Sequence, residues 1–292
     1  MAICPTCRED VRKCWSACGD VAFEGAAIRI DDPPERTHDT RAGERMLDFG
    51  TLGPIGALFV RVAGSFISSG EAVGTLTVPR NSWRLLRVSP DADSRALSSL
   101  SRLPPNGLQI VNFRSTPFGR EATASVGALT GLRRLVLWDT PVTDAAIFGL
   151  HRLHELEMLD LCQTGVGDPG VEALADLANL RWLSLTATRI TDTGVASLSH
   201  LPELRRLSLA GTAVTEAGLV ALTWLDDLRW LSLGDTAVTD AAVPILAACT
   251  ALTHLGVAGS KITRAGRQHF TALRPDVELI NHRSLPRRTR SI

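Results

Sequence analysis

Apolar residues recur along this chain with a period of 24: Leu108, Leu132, Leu156, Leu180, Leu204, Leu228 and Leu252 follow one another without an insertion. Each opens the same phrase, read as LRWLSLTAT from Leu180 to Thr188, LRRLSLAGT from Leu204 to Thr212 and LRWLSLGDT from Leu228 to Thr236. Within a phrase the alternation is that of a strand, with Leu183 and Leu185 on one face and Trp182, Ser184 and Thr186 on the other. The chain must then turn, and the hydroxyl of Thr188 can bond neighbouring backbone groups in that turn. Ile190 re-enters the core, and Thr191 and Asp192 supply an N-cap and an acid for the first turn of a helix. Val195, Leu198 and Leu201 fall at helical spacing, so one helix face is buried. A strand and a helix in so few residues cannot cover their own apolar faces, whereas stacked copies can. The predicted fold is α/β: a right-handed solenoid with a parallel sheet on its concave side and short helices on its convex side.

These phrases are similar to the leucine-rich repeat LxxLxLxxN, with Thr116, Thr140, Thr164, Thr188, Thr212, Thr236 and Ser260 in the Asn place. The second halves ITDTGVASL, VTEAGLVAL and VTDAAVPIL also recur, and with them the chain resembles the cysteine-containing subclass of leucine-rich repeats, familiar from F-box adaptor proteins and many bacterial proteins. The resemblance implies a binding scaffold. No F-box-like helical segment accompanies the repeats, so an adaptor role in ubiquitin ligation is not carried over.

Upstream the register decays. Trp83, Leu86, Val88 and Asp91 imitate the phrase, Ala57, Val60, Val62 and Ser65 imitate it more weakly, and both are expected to be degenerate N-terminal repeats. Downstream, Val277, Leu279 and Ile280 are expected to add a closing strand after Phe270 and Leu273. About nine strands at ~4.8 Å spacing would give a concave sheet ~40 Å long. The expected organisation is a zinc knuckle over 1–20, an irregular segment and linker over 21–56, the solenoid over 57–280 and a basic tail over 281–292.

Function in a solenoid is expected on the outward strand positions, since the inward ones are committed to packing. The third position of successive repeats reads Ile110, Arg134, Met158, Trp182, Arg206, Trp230 and His254, with Trp138 nearby at a seventh position. Two exposed Trp flanking one Arg are the residue types most enriched at binding hot spots. Arg134, Trp138, Met158, Trp182, Arg206, Trp230 and His254 are therefore the candidate contacts for a protein partner. The alternative for the tryptophans is a stacked, purely stabilising arrangement with Arg206. Ser184, Ser208, Ser232 and Gly256, then Thr186, Ala210, Gly234 and Ala258, form a floor of small residues beside this ridge. Arg133, Arg181, Arg205 and Arg229 line a basic edge, which is either a solvated rim or a site for an acidic partner.

Composition adds limits. The 292 residues carry 31 basic and 31 acidic side chains, 45% hydrophobic residues and 41 leucines, so the chain can bury a large core and has no general attraction for polyanions. The charge is unevenly placed: 107–280 holds 14 basic and 18 acidic residues, whereas the last twelve hold four arginines and no acid. Nucleic acid is thus a poor partner for the solenoid. Without an apolar run long enough for a signal or membrane span, the chain is expected to be cytoplasmic.

Four of the six cysteines lie in CPTCREDVRKCWSAC. Cys4 and Cys7 form a CxxC pair, Cys14 and Cys18 a CxxxC pair, and together they can supply four thiolates to a structural zinc ion. The segment resembles a truncated zinc ribbon or treble-clef knuckle; free or redox-active thiols are the alternative. Cys249 takes a repeat core position, and Cys162 lies on the concave face with no cation or helix N-terminus evident to activate it. No nucleophile has a matching base, no phosphate-cradling loop is present and the seven histidines are scattered, so no enzymatic activity is expected. The remaining readings are a zinc-knuckle nucleic-acid binder, favoured by Arg8, Arg12, Lys13 and Trp15, and a regulatory subunit of an enzyme complex.

Overall fold

The computed structural model describes residues 44–62, 65–80 and 82–280. Cys4, Cys7, Cys14 and Cys18, and the tail over 281–292, lie outside the described residues. The body comprises β1 (Glu44–Asp48), β2 (Gly56–Val62), β3 (Ser65–Glu71), β4 (Thr75–Pro79) and β5 (Arg84–Val88), then eight three-residue strands: β6 (Ile110–Asn112), β7 (Arg134–Val136), β8 (Met158–Asp160), β9 (Trp182–Ser184), β10 (Arg206–Ser208), β11 (Trp230–Ser232), β12 (His254–Gly256) and β13 (Glu278–Ile280). Between them run α1 (Ser94–Leu97), α2 (Arg120–Gly127), α3 (Asp144–Phe148), α4 (Asp168–Glu172), α5 (Asp192–Ser197), α6 (Glu216–Leu219), α7 (Val243–Ala248) and α8 (Arg264–Leu273). Strands β5 to β13 pair in parallel in sequence order. The repeat reading therefore holds, from the degenerate phrase at Trp83 to the closing strand at Leu279.

The weaker upstream phrase is corrected. Residues from Ala57 form β2, which pairs antiparallel with both β3 and β5. Only residues 63 and 64 separate β2 from β3, and a parallel pair needs a crossover of a dozen residues or more, so a hairpin is the only connection available. β1 pairs with β4 in a separate two-stranded sheet, so part of the stretch expected to be irregular is strand. Leu47, Phe49, Ile55, Leu58, Val60 and Val78 from these strands and the segment joining β1 to β2 are buried and join the same core as Leu86 and Val88 of β5. At the other end α8, the longest helix among the described residues, buries Phe270 in the same core.

One continuous core runs through the array. In a single repeat Leu180, Leu183, Leu185, Ile190, Val195, Leu198 and Leu201 are all buried, each contributing about 2 kcal/mol. Polar ladders fix the stacking. Thr116, Thr140, Thr164, Thr188, Thr212 and Thr236 each donate their hydroxyl to the carbonyl three residues earlier, at 2.5 to 2.7 Å, and Ser260 does so at 2.8 Å. The residue before each of these hydroxyls has left-handed backbone geometry: Ser115, Asp139, Gln163, Ala187, Gly211, Asp235 and Gly259, with φ between 53° and 76°. Only two of the seven are glycine.

A second ladder joins consecutive helices. Asp168 accepts from the backbone N–H and the hydroxyl of Thr191 at 2.8 and 2.6 Å; Asp192 does the same to Thr215 at 2.8 and 2.7 Å, and Asp240 to Thr263 at 2.7 and 2.6 Å. The expected N-cap threonine is thus held by the acid of the preceding repeat. A Cβ on Gly170, Gly194, Gly218 or Gly266 would come within 2.0 to 2.6 Å of the Asp carboxylate 26 residues upstream. Where that upstream acid is Glu216, the matching residue is Ala242, and Thr239 donates only its hydroxyl, at 3.1 Å.

Two arginines close the ends. Arg84, 3% exposed, donates to the carbonyls of Pro79, Arg80, Asn106 and Gly107, and burial, with Arg45 nearby, depresses its pKa to about 10. Arg274 donates to the carbonyls of Ala247, Cys249, Thr250 and Leu252 and pairs with Asp276 at 2.8 Å. Among the described residues no helix is long and apolar enough to cross a membrane.

Candidate interaction face

Strand register places Arg134, Met158, Trp182, Arg206, Trp230 and His254 in one unbroken row on the sheet face opposite the helices, continued by Glu278. Arg206 lies opposite Trp182 on one side and Trp230 on the other, as expected. Trp138 stands apart, four residues beyond Arg134 and past the end of β7.

The exposure of the tryptophans is corrected. Trp182 is 2%, Trp138 7% and Trp230 8% exposed, although all three lie outside the leucine core. Strands ~4.8 Å apart set large side chains shoulder to shoulder, so neighbours in the row cover one another. Arg134, Met158, Arg206 and His254 are half-buried and carry the row's accessible surface. The floor is closed in the same way. Ser184, Thr186, Ser208 and Ala210 are buried, and the Thr186 hydroxyl lies 2.7 Å from that of Ser208. A partner therefore meets the edges of the ridge and not an open trough.

Three of the four arginines of the basic edge meet acids of the repeats themselves. Arg133 pairs with Glu157, and with Glu155 at 3.3 Å; Arg181 approaches Glu203 at 3.7 Å; Arg205 lies 3.9 Å from Glu203 and 3.6 Å from Asp227. These are rim contacts in high dielectric, worth little each. At the far end of the row, His254 lies 3.4 Å from Glu278 and 2.8 Å from the Thr253 hydroxyl.

Several groups on this face are not legible from the later repeats, whose fifth and seventh positions carry small residues. Arg114 lies over the Trp138 ring, 4.0 Å from its centroid; Arg134 lies 5.2 Å over Trp83, and Arg87 5.5 Å over Phe59. Asp160 occupies a fifth position where later repeats carry Ser184, Ser208 and Ser232. It is 5% exposed, and burial raises its carboxyl to about 6, against the opposing pull of the Cys162 N–H at 3.0 Å, the Ser184 side chain and the Arg114 charge. The signal that could have found it is that Asp160 is the one acid among the fifth positions from Asn112 to Gly256.

Cysteine chemistry follows burial. The Cys162 thiol is buried, and desolvation, with the neighbouring Asp160 charge adding to it, pushes its pKa well above the ordinary range against the opposing charge of Arg114. It is no nucleophile, although a cation does lie nearby. Cys249 is a buried core residue whose thiol is pushed up to about 11. His151 and His154 are exposed, each with Nδ1 near a backbone carbonyl. Among the described residues no group of three or more His, Cys, Asp or Glu side chains could hold a metal ion.

No family model matches the sequence, and no curated protein matches it. Among solved structures, an internalin C2 of Listeria monocytogenes is similar, with 26% identity and a TM-score of 0.51 over 64% of this chain and 80% of that one. An internalin (inlF) of the same organism aligns with 17% identity and a TM-score of 0.49 over 64% of this chain, which spans 63% of that protein's length. Neither bears on the cysteine-containing subclass. Internalins are leucine-rich repeat proteins, and with the parallel sheet, the period of 24 and the Thr-closed turns, the described residues form a leucine-rich repeat solenoid.

Proposed function

We propose that this chain is a non-enzymatic scaffold that binds a protein partner through the sheet face of its repeats. The observation that carries the reading is the row from Arg134 to His254. Large side chains occupy outward positions on six consecutive strands, where packing of the leucine core does not call for them. Such a surface has the residue types of a binding hot spot, with Arg134, Met158, Arg206 and His254 accessible and Trp138, Trp182 and Trp230 acting as the rigid backing behind them. For Cys4, Cys7, Cys14 and Cys18 we keep a structural zinc site as a proposal resting on their spacing. Metal analysis of the purified full chain tests it, and a zinc-free protein after zinc-supplemented expression would remove it.

The test of the scaffold is affinity capture from the cell that makes the protein. Met158→Glu/Arg206→Glu/His254→Glu alters the accessible row, and Glu172→Lys/Val220→Glu alters the helical side as control. A specific protein retained by the wild type and by the helical-side variant, and lost from the row variant, is the expected outcome. The same proteins bound to all three would overturn the reading. Trp→Ala changes are unsuitable here, since removing a buried Trp costs about 3 to 5 kcal/mol of stability.

A further inference from the structure

The helical side of the last three repeats differs from that of the others. At two outward positions that recur every 24 residues these repeats carry Val220 and Trp224, then Pro244 and Ala248, then Gln268 and Ala272, all exposed. Trp224 is 76% exposed, the most of any large apolar side chain among the described residues, and Val220 and Leu273 are about half exposed. At the same positions the upstream repeats hold Arg152, Glu172, Asp176 and His200. The three segments pack side by side in chain order: α6 with its 3-10 extension Val220–Trp224, then α7, then α8. An exposed apolar strip of this kind marks an interaction surface.

Charge along the strip is graded. Three acids and no base lie between Glu216 and Asp227, no charged residue lies between Ala241 and Ala251, and three arginines and no acid lie between Arg264 and Arg274. Some of these groups are engaged within the chain: Asp227 lies 3.6 Å from Arg205, Arg267 acts on Asp240, and Arg274 is bound to carbonyls and to Asp276. Glu216 and Arg264, the first residues of α6 and α8, stand at equivalent edges of the strip with opposite charge. Glu216 is half-buried and one of its oxygens accepts from the Thr239 hydroxyl at 3.1 Å, which leaves a carboxylate able to accept further bonds; Arg264 is exposed.

We propose that this strip is the contact surface of a symmetric homodimer, covered by the same strip of a second copy. Two such faces meet about a two-fold axis parallel to α7, which sets the α6 segment of one copy over α8 of the other and, by symmetry, the reverse. Trp224 then meets Ala272 and Leu273, Pro244 and Ala248 meet their own counterparts near the axis, and Glu216 meets Arg264, with every unlike pair formed twice. A two-fold axis along the array would instead oppose acidic repeat to acidic repeat and arginine repeat to arginine repeat, so charge selects the first arrangement. An acidic end, a neutral centre and a basic end on one apolar strip are complementary to the strip itself, which favours a second copy over an unrelated apolar segment. The inference is independent of the sheet-face reading, because the row from Arg134 to His254 lies on the opposite side of the repeats.

The test is sedimentation equilibrium of the full-length chain over a concentration series. The mass should rise from 31.4 kDa toward twice that value. A dissociation constant of roughly 10 to 100 μM is expected, because three short helical segments offer less than a standard interface. Trp224→Gln/Leu273→Gln should raise that constant at least about tenfold, while Met158→Glu/Arg206→Glu/His254→Glu on the sheet face should leave it unchanged. Glu216→Arg and Arg264→Glu should each weaken self-association at least about fivefold, since each sets like charges against one another at both symmetric contacts. Mixed in equal amounts, these two variants should associate as tightly as the wild type, because each contact of the mixed dimer again joins an acid to an arginine; that recovery also shows both variants to be folded. A mass that stays at 31.4 kDa up to roughly 300 μM would overturn the proposal. So would a dimer that survives Trp224→Gln/Leu273→Gln, a mixture that associates no more tightly than its components, or a mass that grows beyond two chains.

Discussion

Substituting Gly194 by Ala tests how the repeats are held in register. Gly194 is the third residue of α5, and a Cβ there would stand 2.4 Å from Oδ1 of Asp168 and 3.1 Å from a methyl of Ile190. The carboxylate must move, and with it go the bonds it accepts from the Thr191 N–H and hydroxyl at 2.8 and 2.6 Å. Two such bonds contribute about 1 kcal/mol each, and forced overpacking adds about 1 to 3 kcal/mol, against a gain of about 1 kcal/mol from replacing glycine in a helix. A net loss of about 2 to 4 kcal/mol is expected from these terms, read as a lower urea midpoint at unchanged slope. The chain itself supplies the remedy, since Glu216 and Ala242 replace the Asp and Gly of this pair two rungs further along the ladder. The double variant Asp168→Glu/Gly194→Ala should therefore regain at least about half of the loss, a coupling measured as a double-mutant cycle. A stabilising Gly194→Ala, or additive effects in the double variant, would refute the reasoning.

Three further outcomes follow from the same geometry. Thr188→Val removes a 2.6 Å donation to the Leu185 carbonyl at a buried turn, and should cost about 1 to 2 kcal/mol in chemical unfolding, whereas Thr188→Ser should cost less. Ala187 has φ 54° where Gly211 and Gly259 stand in other repeats, so Ala187→Gly should raise thermal stability by up to about 1 kcal/mol, and a lowered midpoint would count against strain at this turn. Asp160 is held at about 6, above its ordinary 3.8, so the folded chain keeps a proton that the unfolded chain has lost between those values. Its contribution to stability is present at low pH and lost as pH rises from about 4 to about 6, on the order of 3 kcal/mol. Asp48, Asp240 and Asp276 are shifted the opposite way, so the measurement is the difference between wild type and Asp160→Asn across that range. Parallel pH profiles for the two proteins would contradict the assignment.

The period of 24 was enough to place seven strands, the turn threonines and the closing strand at Leu279, because each inward Leu has one packing solution in a stacked array. Strand direction at Ala57 was not legible. Alternation shows which residues share a face, while direction is set by the two-residue connection that follows. Burial of Trp182 and Trp230 was equally hidden, since alternation assigns a face and not the depth at which neighbours cover a side chain. The pairing of each Asp with the Gly 26 residues later links two repeats, so comparing phrases one against another does not reveal it. Arg87 and Arg114 were present in the sequence as outward residues, but only the fold sets them beside Phe59 and Trp138.

The central claim is that the sheet face, and not the helical side, meets the partner. A photo-crosslinking amino acid placed at Met158 and, separately, at Glu172, followed by irradiation in the cell of origin, tests this directly. A discrete protein adduct from the Met158 position and none from Glu172 is predicted. Adducts from Glu172 alone, or the same adducts from both positions, would contradict it.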